Sequence, residues 1–349
     1  MKRLIPTFII LLSLCCCTGQ GDNNSHHEPV PKTDSFFAKG ADLGWITEME
    51  SNGYKFYNAA GKEMECTALF KELGFNSIRC RVWVNPQDGW CNASDVLVKA
   101  QRAQKLGMKV MIDFHYSDWW ADPGKQNIPA AWKNNNLEQM ATAVSGHTSE
   151  VLGLLKENKV DVEWVQIGNE TRTGMLWPVG ELTNEDPYSF CKLADAGYDA
   201  VKSVYPDATV LLHCDNAWDG SLQTWFWTLV GKGGAKYDMI GLSLYPSYWD
   251  DTLKAYPDWR PKCSSTILNI KQMHQTFNKP VMLAEFGMPE SEPEIARDAL
   301  QYLLDNVSGL DWFKGIFLWE PESEPSRNHY DYGAFSEGKP TIALEPFNE

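Results

Sequence analysis

Positive charge is scarce in this chain. Its 31 Lys and Arg stand against 46 Asp and Glu, giving a formal net charge of −15, and a field of that sign repels phosphate backbones and anionic bilayers. Nucleic acid is excluded as a natural partner, and a neutral polymer is favoured. Cysteine is present without a pattern. The nine cysteines include no CxxC pair, and Cys66, Cys80, Cys91, Cys191, Cys214 and Cys263 are too scattered for a metal site or a disulfide framework. Long hydrophobic runs are missing too. The one sustained apolar stretch, residues 4–14, is too short to span a bilayer, which takes about 20 residues. No internal repeat occurs, no linker follows residue 36, and no glycine-rich phosphate turn follows the first strand-like run. The last absence argues against a doubly wound dinucleotide-binding sheet.

What is present begins with a targeting pattern. Lys2 and Arg3 precede the apolar stretch, and Cys15-Cys16-Cys17 follows it, as in a secretory signal. Cysteine at that place resembles a bacterial lipoprotein processing site, with Cys15 or Cys17 as the lipid-bearing residue. Residues 1–17 are therefore expected to be a lipoprotein-type signal. Residues 18–35, rich in Gly, Asn, Ser, His and Pro, are expected to be a disordered tether. The expected location is the cell envelope, on the outer membrane or cell surface, with the lipid as the only membrane contact. Aromatic content is high at 12%, with 15 Trp. Surplus indole in loops suits a carbohydrate groove, because sugar rings present flat apolar C–H faces.

From residue 36 onward short apolar runs alternate with longer helical patterns. Strands are predicted over 38–44, 77–83, 109–114, 162–168, 209–214, 239–245, 281–285 and 315–319. Helices are predicted over 66–73, 93–106, 137–158, 187–205, 221–230, 264–277 and 294–306. Eight βα units without a repeat motif predict a single (β/α)8 TIM barrel over 36–349. On that fold the working residues sit at the C-terminal strand ends. The predicted ends offer Asp42, Arg79 and Arg81, then His115 and Asp118, Asn169 and Glu170, Asp215 and Asn216, Tyr245, Glu285, and Trp319 with Glu320.

Glu170 and Glu285 each follow or close an apolar strand, and two carboxylates so placed are the minimum for cutting a glycosidic bond with retention. Glu285 ends a run, Val281-Met282-Leu283-Ala284, in which an acid is expensive unless paired or solvated in a cleft. Arg79 and Arg81 alternate with Ile78, Cys80 and Val82, so both face the barrel interior. Each then needs a carboxylate: an ionised Glu for Arg79, a structural ion pair for Arg81. His115 and Asp118 lack a third ligand for a metal and are expected to hydrogen-bond substrate. Tyr245 is placed to donate its hydroxyl to the nucleophile. Trp83, Trp119, Trp120, Trp177, Trp218 and Trp249 lie in or near rim loops as candidate stacking platforms.

Three strings carry a specific resemblance. Ile78-Arg79-Cys80-Arg81-Val82-Trp83-Val84-Asn85-Pro86 is one. Asp113-Phe114-His115-Tyr116-Ser117-Asp118 with Trp120-Ala121-Asp122-Pro123 is the second, and Ile167-Gly168-Asn169-Glu170 running on to Leu176-Trp177-Pro178 is the third. Together they resemble glycoside hydrolase family 53, the endo-β-1,4-galactanases acting on pectin galactan and type I arabinogalactan, over roughly residues 36–335. The resemblance implies Glu170 as acid/base and Glu285 as nucleophile, with Arg79, Asn169, Tyr245 and Trp319 around the sugar at the cleavage point. Arg79 is expected to lower the pKa of Glu285, and Glu170 to titrate higher. Asp42, Trp120 and Trp177 complete the expected substrate contacts. Two departures stand out. Phe286-Gly287 follows Glu285 where relatives often carry Thr. The stretch from Glu285 to Trp319 is compact and lacks the dense Asp/Asn set of relatives that hold a structural calcium there, so no cofactor or metal is expected. A monomer is expected. Alternatives that spacing leaves open are another retaining barrel endo-hydrolase, a mannanase or xylanase, and a non-catalytic glycan-binding lipoprotein.

Overall fold

The computed structural model describes residues 36–348, so the signal and tether expected over 1–35 lie outside the described residues. Eight parallel strands close into one barrel: β1 (Ala38–Asp42), β2 (Ser77–Val82), β3 (Lys109–Phe114), β4 (Trp164–Ile167), β5 (Thr209–Cys214), β6 (Met239–Leu244), β7 (Val281–Phe286) and β8 (Phe313–Trp319). Each pairs with its sequence neighbours, and β1 closes the ring on β8 with Asp42 opposite Trp319.

The helices follow from capping and periodicity. α1 (Ile46–Ser51) and α2 (Cys66–Glu72) follow β1, α3 (Ala93–Lys105) follows β2, and α4 (Leu137–Glu157) follows β3. α4 opens on a capping box in which the Asn136 side chain and Gln139 satisfy each other's backbone N–H. α5 (Tyr188–Val204), α6 (Gly220–Gly233), α7 (Arg260–Phe277) and α8 (Pro293–Val307) complete the ring. α7 starts four residues earlier than the pattern suggests (264 − 260 = 4), because Pro261 is tolerated in a first turn whose N–H groups need no partner. After β8 come the short α9 (Pro325–Asn328), a two-stranded antiparallel hairpin (Phe335–Ser336 with Lys339–Pro340) and a 3₁₀ turn, Ile342–Phe347, which packs on α8.

Strand alternation sorts the side chains into two cores. Ile78, Cys80 and Val82 of β2, like Ile240, Leu242 and Leu244 of β6, pack outward into the large barrel–helix core. Inside the barrel, Ala38, Met111, Trp164, Leu211, Met239, Met282 and Phe317 plug the lower end. Gly40 makes room for that plug, since a Cβ there would lie 2.2 Å from the Phe317 ring. The next inward positions are polar: Asp42, Arg79, Asp113, Gln166, His213 and Ser243, all buried. The apolar plug thus carries a polar floor facing the C-terminal rim.

β7 departs from simple alternation. Leu283 lies opposite Leu242, but Glu285, not Ala284, lies opposite Ser243, so one residue is extra. Val281, Leu283 and Phe286 face the outer core. Strict period two would send Glu285 outward with Val281 and Leu283, and the bulge turns it inward.

Candidate active site

A cleft of about 420 Å³ opens at the C-terminal rim, with Glu170, Glu285, Asn169, Tyr245 and Trp319 among its lining residues. It is not the largest concavity. A shallow groove of about 1000 Å³, carrying Trp218 and Trp225, runs along α6 and α7 on the outer wall and holds no pair of carboxylates. Trp249 faces a third depression, away from the cleft.

Arg79 organises the polar floor. Its guanidinium is 1% exposed and meets Asp42 at 2.5 Å, Asp113 at 2.9 Å and Glu285 at 3.0 Å. It also donates to Gln166 Oε1 and, at 2.9 Å, to Asn169 Oδ1. Register explains the convergence, because Asp42 lies opposite Arg79 and Asp113 opposite both Arg81 and Gln166 on adjoining strands. One carboxylate partner is foreseeable from the sequence; the fold supplies three. Arg81 takes the structural role expected of it, paired to buried Glu320.

Glu285 accepts from Arg79 on Oε1 and from the Tyr245 hydroxyl on Oε2 at 2.9 Å. Burial pushes its pKa up, Arg79 and Tyr245 pull it back, and Asp113 opposes them. The net direction is above the ordinary Glu value, which corrects the expectation that Arg79 would leave it lowered: desolvation of the carboxylate outweighs the cation. Glu170 rises further. Burial is again the largest cause, Glu285 and Asp215 add repulsion, and only the Ser243 hydroxyl pulls the other way. The order the chemistry needs survives, with Glu170 as the group that keeps its proton.

Glu170 sits at φ +46°, in the left-handed region that non-glycine residues seldom adopt. Its backbone N–H donates to His213 Nδ1 at 3.3 Å, and Thr171 N–H donates to the His213 carbonyl. Burial and Arg79 hold His213 well below its usual pKa, so the ring is neutral. With Nδ1 accepting, Nε2 carries the hydrogen and donates to Ser243 Oγ at 2.7 Å. The serine hydroxyl is then left to donate to Glu170.

The remaining expected residues fall in several places. Asn169 accepts from Arg79 and donates one amide hydrogen to the Ala121 carbonyl at 2.9 Å, leaving the second for a ligand. Trp319 and Trp120 both line the cleft. Asp42 lies beneath the floor at 0% exposure and is bound to Arg79, so it supports the site without reaching a ligand. His115 also lines the cleft, but both ring nitrogens are taken: Nε2 lies 3.0 Å from Asp113, and Nδ1 accepts from Ala121 N–H. Asp118 turns away and caps two loops through the N–H groups of Asn85 and Ala130. Trp177 donates its indole N–H to the Thr173 carbonyl and does not line the cleft.

Sequence reading passed over Asp113, Gln166, His213 and Ser243 as site residues. A signal existed, since each is a polar residue at an inward position in a strand otherwise apolar. Tyr248, His329, Tyr330, Asp331 and Tyr332, which wall the cleft from loops after β6 and β8, had none. No group of three or more His, Cys, Asp or Glu that could hold a metal ion occurs among the described residues. The six cysteines of the barrel are buried free thiols.

A closed parallel barrel with two glutamates on its C-terminal rim, facing one aromatic-walled cleft, is the architecture of a barrel glycoside hydrolase. A family-wide profile described as glycosyl hydrolase family 53 matches residues 38–298, and the chain belongs to that family. Among similar proteins, a probable arabinogalactan endo-β-1,4-galactanase A of Aspergillus tubingensis is 31% identical over 316 residues, covering 84% of this chain and 87% of the relative. The arabinogalactan endo-β-1,4-galactanase A of Aspergillus niger is 30% identical, with 84% and 87% covered. Among solved structures, one from a study of two fungal β-1,4-galactanases superimposes with a TM-score of 0.79 at 29% identity, covering 88% of this chain and 98% of the other. The Ignisphaera aggregans GH53 catalytic domain gives 0.78 at 27%, with 91% and 97% covered.

Proposed function

We propose that this protein is a retaining endo-β-1,4-galactanase that cuts internal bonds of galactan and type I arabinogalactan by double displacement. One observation carries the reading. Glu170 and Glu285 line the same cleft, and Glu285 alone is gripped by a guanidinium and a phenol. That asymmetry divides the labour. Glu285, ionised, attacks the anomeric carbon while Glu170 gives its proton to the leaving oxygen. Glu170, now a base, then takes a proton from the water that releases the glycosyl-enzyme. The Tyr245 hydroxyl and Arg79 hold the attacking carboxylate in line. The second amide hydrogen of Asn169 is free for the sugar 2-hydroxyl, a contact that tightens in the transition state. The reaction asks for no cofactor.

Wild-type protein and the Glu285→Gln variant separate this reading from a binding-only protein: reducing ends should accumulate from β-1,4-galactan with the first and not with the second. Equal inertness of the two on galactan would defeat it. Mannan and xylan in parallel distinguish the other barrel endo-hydrolases. The relatives' names support galactan. The proposal also includes export and lipid attachment at Cys15 or Cys17 and a monomeric state. Mass spectrometry of membrane-extracted Cys15→Ala and Cys17→Ala proteins reads the first, and sedimentation of a chain starting at residue 36 reads the second.

A further inference from the structure

The groove of about 1000 Å³ on the outer wall shares no lining residue with the cleft. Two neighbouring helices build it. Thr224, Trp225 and Thr228 of α6 and Ser265, Leu268 and Gln272 of α7 line it, and each set recurs at the three- and four-residue steps that keep side chains on one helix face. Trp218, one of the indoles expected at the rim, stands at the entrance to α6 and lines the groove instead. From Ser221 to Thr228 the groove follows two turns of α6, about 10 Å, which is room for a short run of linked rings.

The lining is unlike an ordinary solvated helix face, which carries Lys, Arg, Asp and Glu. Asp219 is its single charged residue, and that carboxylate is spent on the Ser221 and Leu222 N–H groups at the start of α6. By contrast, the hydroxyls of Ser221, Thr224, Thr228 and Ser265 and the amide of Gln272 make no hydrogen bond to any other described residue. Trp218 and Trp225 pack against the barrel–helix core while bordering the groove. The Trp225 indole N–H is held by Asn184 Oδ1 at 2.8 Å, so that ring is fixed before a ligand arrives. Leu268 remains 68% exposed.

These features select one occupant. A polyanion would meet an acid and no lining cation, on a protein of net charge −15; Lys262, 4.9 Å from the Trp218 centroid, is not part of the lining. A protein interface is built around an apolar, well-packed centre, whereas seven of the twelve lining residues here are polar. A neutral sugar chain matches both halves of the surface, with C–H faces for indole and leucine and hydroxyls for the unspent serine, threonine and glutamine groups. We propose that the α6–α7 groove is a second, non-catalytic binding site for a neutral polysaccharide, holding the polymer on the outer wall while the cleft cuts elsewhere along it. That the polymer is galactan rests on the galactanase reading; that it is a neutral sugar chain rests on the groove.

Thr224→Arg fills the groove from an exposed position, and Trp225→Ala removes a platform; both leave the cleft intact. In native gels cast with β-1,4-galactan, each change is placed in the Glu285→Gln protein and its retardation measured. The half-retarding galactan concentration should rise about tenfold, the scale of one lost stacked ring. With Glu285 restored, KM on galactan should rise while kcat/KM on the shortest cleavable galacto-oligosaccharide holds. Unchanged retardation in both variants, or equal loss on polymer and short substrate, overturns the site, as does retardation by polygalacturonate as strong as by galactan. A dimer in sedimentation that Thr224→Arg disperses, with retardation unchanged, assigns the groove to a second copy of the chain and overturns it too. If wild type leaves galactan intact but retardation still weakens in Thr224→Arg, the galactanase reading falls and the groove stands. If another neutral polysaccharide is the one cleaved, gels cast with that polymer decide the groove.

Discussion

Glu170 and Glu285 carry the same functional group and are set apart by what surrounds them. Glu285 has a cation and a phenol to offset its burial; Glu170 has a serine hydroxyl and three like charges. Activity therefore depends on pH in a bell. It rises as Glu285 ionises and falls as Glu170 loses its proton, and both limbs lie above the ordinary glutamate range because both carboxyls are raised. The Tyr245 hydroxyl lowers the pKa of Glu285, so its removal must raise it. In Tyr245→Phe the acid limb of kcat/KM should move to higher pH while the alkaline limb stays, and a profile that keeps its acid limb would refute this role. Gly287 matters for the same bond. A Cβ there would lie 2.4 Å from the Tyr245 ring, so Gly287→Ala should displace the phenol. Loss of a hydrogen bond to a charged group, about 1.5–3 kcal/mol, predicts kcat/KM on galactan down by about tenfold or more, with the melting temperature little changed. Glu170, Glu285, Asn169, Arg79 and Tyr245 are legible in the sequence because they close or follow apolar strands, where polarity needs a reason. Asp118 and Trp177 looked equivalent by position, but a side chain's direction out of a loop is set by local hydrogen bonds that spacing does not encode.

At the scale of elements, strand alternation and helix signals reproduce the barrel closely. β2, β3, β5 and β6 match the expected runs to within a residue at each end, since a parallel strand buried on both faces is a continuous apolar run bounded by turns. Capping is equally readable. Asn136→Ala removes the capping box of α4 and should destabilise the protein by about 1 kcal/mol, read as a lower urea midpoint with unchanged slope; an unchanged midpoint would show that packing alone holds that helix start. What alternation misses is the bulge in β7. Period two applied to Val281-Met282-Leu283-Ala284-Glu285 puts Glu285 on the outer face, and only pairing with β6 reveals the extra residue. The sector after β8 is the other gap. Its short helix and 3₁₀ turn lack a 3.6-residue pattern, and the tyrosines it brings to the cleft are anonymous in sequence.

For the whole molecule, net charge sets the partner class. At −15 the protein repels polyanions, and a neutral polysaccharide approaches without electrostatic steering. Raising sodium chloride from about 50 to 500 mM shortens the screening length from above 10 Å to about 4–5 Å, yet kcat/KM on galactan should change less than about twofold, and polygalacturonate should stay uncleaved at every salt concentration. A steep salt dependence on galactan would mean that charge takes part in substrate capture.

Composition, periodicity and two acidic strand ends were enough to determine the barrel, the end that bears the site and the pair of glutamates, because these depend on which residues neighbour one another along the chain. Tertiary structure alone decided how Glu285 faces inward, which three carboxylates share Arg79, and that five indoles from three loops enclose a cavity beside the cleft. Those outcomes arise where strands distant in sequence lie side by side, and no local pattern of residues carries that register.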